Sequence, residues 1–203
     1  MSSEIPPPPE RPAAAEPSPD ALIAALLEIE RHIDGSGWDQ PPRLFALVST
    51  QRLLAAEPGL ADRLGPPGST GSAAPADSAA DSEPDPDEDD RLTAVEQEHF
   101  VPTDDLVGDL GSLSWPPTVD GCAVAVERLF LPAGTEIELP DDPAAAAEAV
   151  AAHPQRQEVR VVVGVDRRGS RHGVARVRSQ PNELLGATEL VPGLAEMLAH
   201  TLA

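Results

Sequence analysis

The chain of 203 residues contains no lysine and no tyrosine. The first absence removes the phosphate-loop lysine, Schiff-base chemistry and any Ser-Lys nucleophilic pair. The second leaves aromatics at 2% of the chain, so a core must come from Leu, Val, Ile and Ala. Surfaces that stack nucleic-acid bases on aromatic rings are thereby disfavoured. Cysteine is limited to Cys122, which rules out an intrachain disulfide or a thiolate metal cage and fits a reducing compartment. Basic residues are few, 14 arginines against 35 acids, and the net charge of −21 repels nucleic acid and anionic membrane. The longest apolar run, Ala21 to Leu27, is too short to span a bilayer. The first residues, MSSEIPPPPERPAAAEPSP, are acidic and proline-rich, unlike a secretory leader. A soluble cytoplasmic protein is expected, with no cofactor, no nucleic-acid partner and no membrane partner.

What is present reads as one modest core interrupted by polar chain. Residues 1–17 lack any apolar period and are expected to be disordered. Ser18-Pro19-Asp20 opens a helix in which Leu22, Leu26, Ile29 and Ile33 recur at helical spacing until Gly35, leaving Glu28, Arg31 and Asp34 for solvent. RLFALV (43–48) reads as a strand, and TQRLLAAE (50–57) as a second helix ended by Pro58. Residues 65–90 carry eight acids and no base, the composition of a disordered acidic insertion. Beyond it, RLTAVEQEHF (91–100) is a strand candidate that pairs with RLFALV across the insertion. Asp104-Asp105 cap a short helix, and CAVAVERLFLP (122–132) forms a long central strand, apolar on both faces. Asp142-Pro143 start an alanine-rich helix whose small side chains allow close packing on a sheet. EVRVVVGVD (158–166) and HGVARVRS (172–179) make a hairpin around Arg167-Arg168-Gly169-Ser170. A last helix, Pro192 to Leu202, carries Leu194, Leu198 and Leu202 on one side.

This order predicts an α+β fold, a small, mainly antiparallel sheet covered by helices on one face, within a single domain over 18–202. GWDQPPRLFALV (37–48), WPPTVDGCAVAVERLFLP (115–132) and LVPGLAEMLA (190–199) together resemble a family of uncharacterised proteins from high-GC actinobacteria, over most of 18–64 and 91–202. The resemblance implies a bacterial, cytosolic, single-domain protein and brings no activity, so it assigns no functional residue. The element order also resembles small secretion-chaperone-like modules that dimerise and grip partner segments, a likeness at the level of fold.

No catalytic motif stands out. His32, His99, His153, His172 and His200 form no HExxH or HxH pattern, no serine sits in GxSxG, and Asp104-Asp105 and Asp141-Asp142 precede helices, where capping accounts for them. Cys122 opens an apolar strand and reads as a buried inert thiol. The basic hairpin is more informative: residues 155–178 hold seven arginines against Glu158 and Asp166, a local excess of five positive charges. If Val159, Val161, Val163 and Val165 face the core, Arg160, Arg176 and Arg178 point to the other face. They either bind an acidic segment, phosphate or carboxylate of a partner or pair internally with the surplus acids, and pairing is the favoured reading. On the binding alternative, reversing Arg160 and Arg176 to glutamate abolishes partner capture at little cost in stability. In GWDQPPRLFALV a structural corner explains all but Arg43, with Trp38 covering the first helix end and Asp39 accepting bonds from the turn. Trp38 and Trp115 either close opposite ends of a core or form a shared exposed patch. The candidate partner surface is therefore Arg160, Arg176, Arg178, Arg43, Trp38 and Trp115. The expected function is a non-catalytic interaction or adaptor module, with an unknown protein partner and a homodimer possible. The alternative is a small hydrolase-like enzyme whose site assembles only in the tertiary fold.

Overall fold

The computed structural model describes residues 19–57, 59 and 91–203 apart from 104, 133 and 189. The tail at 1–17 and the acidic insertion at 65–90 lie outside the described residues. Six strands form one antiparallel sheet: β1 (Arg43–Ser49), β2 (Leu92–Glu96), β3 (Gly121–Phe130), β4 (Gln157–Asp166), β5 (Arg171–Val177) and β6 (Leu184–Ala187), in spatial order β2-β1-β3-β4-β5-β6. Five helices accompany it among the described residues: α1 (Pro19–Asp34), α2 (Thr50–Ala56), α3 (Leu106–Gly111), α4 (Pro143–Ala152) and α5 (Pro192–Thr201). The α+β class and the antiparallel sheet are as the sequence predicts. No described helix is long and apolar enough to cross a membrane.

Three local expectations hold in detail. β1 and β2 pair across the 57–90 stretch, with Phe45 opposite Glu96 and Ser49 opposite Leu92. β3 lies inside the sheet between β1 and β4, as its two apolar faces require. β4 and β5 form the hairpin, and Gly169 at its turn has φ +88°, a conformation that only glycine adopts without strain.

The helices do not keep to one face, which corrects the expected one-sided cover. β4 is apolar along one parity, and on the other Val162 and Gly164 leave its middle apolar or small, so both faces seek a layer. Val159, Val161, Val163 and Val165 join Leu44, Cys122, Val124, Leu110 and Leu198 under α3 and α5. Val162 joins Phe45, Leu47, Ala123, Ala125 and Val174 under Leu22, Leu26, Ile29 and Ile33 of α1. Gly164 sets the closeness of that second layer: a Cβ there would stand 2.6 Å from Leu26 Cδ2. Fully burying each of these aliphatic side chains contributes about 1.5–3 kcal/mol before the entropy of ordering it.

Two further points depart from expectation. α4 starts where predicted, with the Asp142 carboxylate accepting from Ala145 N at 2.9 Å. Its packing is looser than expected: it meets β3, but Ala145, Ala146, Ala149 and Val150 are only half-buried. β6 is a sixth strand that the sequence does not announce, four residues without alternation on the sheet edge, with Leu184 and Leu185 exposed.

Candidate functional site

The arginine-rich hairpin folds inward. Glu127, Arg160 and Arg176 are cross-strand neighbours on β3, β4 and β5, one row beyond Ala125, Val162 and Val174 on the α1 side. α1 brings Glu30 down onto that row. Arg176 grips Glu30 with Nε to Oε1 at 2.5 Å and Nη2 to Oε2 at 2.6 Å, and its remaining nitrogen donates to Pro181 O. Its guanidinium is held still more firmly protonated by that carboxylate. Arg160 donates to Asp34 Oδ1 and to Glu127 Oε1, each at 3.2 Å, and to the Gly37 carbonyl. The Trp38 ring closes over it, with its centroid 4.5 Å from the guanidinium carbon. Arg160 is 1% exposed, so neither its charge nor that of Arg176 faces solvent as a ready partner surface. The internal-pairing reading is the one the geometry supports. The double reversal to glutamate would put two like charges against Glu30, so its expected harmlessness to stability is also corrected.

The remaining candidates separate. Arg43 is not an exposed arginine: it makes a forked pair with Glu96, both bonds 2.6 Å, beside His32 Nε2 at 3.2 Å. That pair draws the Glu96 carboxyl below its usual range. Arg178, at the rim, bonds Glu158 and lies 3.6 Å from Asp39 and 5.5 Å from the Trp38 ring. Asp39 does not accept bonds from the turn; at φ +67° it donates its backbone N–H to Glu127 Oε2 at 2.7 Å. Trp38 stands on the α1 side and Trp115 packs against the core of the opposite face, so they form no shared patch.

Trp115 belongs to a second constellation built on Arg167. That side chain donates to four carbonyls: Val119 at 2.7 Å, Trp115 and Pro116 at 3.0 Å, and Leu202. It thereby ties the Trp-Pro-Pro turn to the end of α5, which also accepts Trp115 N at Thr201 O, 2.9 Å. Cys122 lies beneath, its Sγ 3.7 Å from Leu198 O and 3.6 Å from Thr201 Oγ1. Burial pushes its thiol up to about 11, against smaller opposing pulls from Thr201, Trp115 and Arg167.

On the same face, beside β1, a cleft of about 400 Å³ opens. Leu44, Phe100, Leu113 and Trp115 give it apolar walls, and Val101, 80% exposed, forms part of its lip. Gln97, His99, Asp109, Ser112 and Ser114 are also in the lining. Asp109 and Ser112 are held within the segment around α3, and the Gln97 side chain donates back to Val95 O at 3.0 Å. Asp109 accepts from Thr103 N at 2.6 Å and from Thr103 Oγ1 at 2.9 Å, and Ser112 Oγ donates to the Asp109 carbonyl at 2.7 Å. Asp105 caps α3 through Gly108 N at 3.0 Å, as expected of that acid pair. Among the described residues no three His, Cys, Asp or Glu side chains converge as metal ligands. Sequence reasoning missed this cleft because its walls come from β1 and from the loop on either side of α3, joined only by folding.

The fold and its cleft thus define an α+β protein with a two-sided antiparallel sheet and an apolar-walled recess beside β1. The chain belongs to the family described as PPA1309-like protein, an uncharacterised family that matches residues 22–203. No curated protein and no solved structure matches it.

Proposed function

We propose that the protein is a non-catalytic interaction module of the cytoplasm whose contact site is the cleft beside β1. The observation that supports this is the contrast between its charged and apolar groups. The forked arginines are spent inside the fold, whereas Val101, Phe100 and Trp115 frame an accessible recess. A recess of a few hundred Å³ lies at the lower end of ligand-sized clefts and has room for a large side chain of a partner. A photo-crosslinking residue placed at position 101 should trap a recurring cytoplasmic protein, and Ser114→Trp, which fills the recess, should abolish the adduct. Equal adducts from positions 101 and 178, or none, would overturn the reading.

A homodimer has its own supporting observation. The outer edge of β6 meets no further strand among the described residues, and Leu184 and Leu185 are 40% and 52% exposed there. Such an edge is a ready template for a second copy. Sedimentation should show a dimer that Leu185→Arg dissociates; a monomer at all concentrations removes it.

A further inference from the structure

Resting on the cleft as the contact site, we infer that its occupant is an extended basic and apolar segment of a partner protein. One large apolar side chain of that segment enters the recess, and arginine or lysine residues flank it. The apolar part follows from the walls: Leu44, Phe100, Leu113 and Trp115 leave a volume of about 400 Å³ that a leucine or phenylalanine side chain fits.

The charge follows from what surrounds those walls. From Gln97 to Val119 the sequence carries Glu98, Asp104, Asp105 and Asp109 and no arginine. The two arginines that adjoin or bond residues of the walls do not offset this. Arg43 adjoins Leu44 but is paired with Glu96, and the single charge of Arg167, bonded to the Trp115 carbonyl, leaves the acids of this segment in excess. An open site with Asp109 in its lining and the exposed Glu98 between lining residues Gln97 and His99 draws a cationic ligand and repels an anionic one. The same rule excludes an occupant from within the chain's 65–90 stretch, with eight acids and no base.

The test uses the full chain and three fluorescent nine-residue peptides, each with a central phenylalanine flanked by arginines, serines or glutamates. Anisotropy should show binding of the arginine peptide alone, weakening ~10-fold or more between 50 and 300 mM NaCl as the Debye length contracts. Val101→Arg and Glu98→Arg, both at exposed positions, should each reduce that binding at least about 10-fold by placing a like charge at the rim. Arg178→Glu, on the other face, should leave it unchanged. Equal, salt-independent binding of the serine peptide would overturn the charge inference while leaving the cleft as an interaction site. Tight binding of the glutamate peptide, or no binding of the arginine peptide, would overturn the inference outright. The crosslinking result at position 101 then decides separately whether the interaction reading survives.

Discussion

Glu30, with no exposed side-chain surface, is held in a two-pronged grip by Arg176 from a strand 146 residues away in sequence. This pair pins α1 to the hairpin. Breaking a buried pair by removing one partner strands the other charge, so Glu30→Leu should cost roughly 3–5 kcal/mol. Combining it with Arg176→Met should recover much of that loss. Urea unfolding of the two singles and the double measures the coupling, and additive losses would mean that the two charges do not act as a unit.

The Arg43 fork lowers the Glu96 carboxyl in the folded state. A depressed carboxylate contributes stability that is present above its unfolded value and lost as pH falls through the folded one. Arg43→Gln should bring the Glu96 titration back towards the ordinary carboxylate range, read by carboxyl-carbon NMR. Acid unfolding should then begin at higher pH.

Cys122 carries the opposite sign. Its thiol, raised to about 11 by burial, stays protonated at neutral pH. A folded value above the unfolded one means stability present below about 9 and lost as pH rises towards 11. Thiol labelling at pH 8 should therefore be slow in buffer and fast in denaturant. Rapid labelling of the folded chain would show that the sulfur is open to solvent.

Arg167→Lys should loosen α5 specifically. Lysine cannot match a planar fork on four carbonyls, and leaving the less exposed pair, those of Val119 and Leu202, without a donor costs about 1–3 kcal/mol each. Amide exchange at Leu198 to Leu202 should rise ahead of exchange in β4, whereas uniform protection would place the anchor elsewhere.

Much of the sheet was legible because local signals agreed with tertiary ones. The turn at Gly169, the apolar faces of β3 and the caps at Asp105 and Asp142 each act within a few residues. Glu30 was missed although a signal exists: it lies eight residues after Leu22 and four after Leu26, inside the apolar stripe of α1. An acid on such a stripe needs a buried cation, and Arg160 and Arg176 share the facing row. The second helical layer was hidden for a related reason. Val162 and Gly164 lie between the counted valines, and a strict alternation reads them as solvent-facing. The cleft and β6 left no local trace, since one is made by chain segments meeting and the other by an edge that demands no pattern.

The β1–β2 pairing has a consequence for how this chain tolerates change. Thr50 N bonds Arg91 O at 2.9 Å, so the polypeptide re-enters the sheet beside the point where α2 begins, one short helix before it departs. Because the entropy of closing a loop grows only logarithmically, doubling the intervening length costs about 0.6 kcal/mol. The sheet register is thereby insulated from whatever is inserted between those ends. The fold possesses a built-in port where a tag, a reporter or a new module can be spliced without disturbing either helical layer.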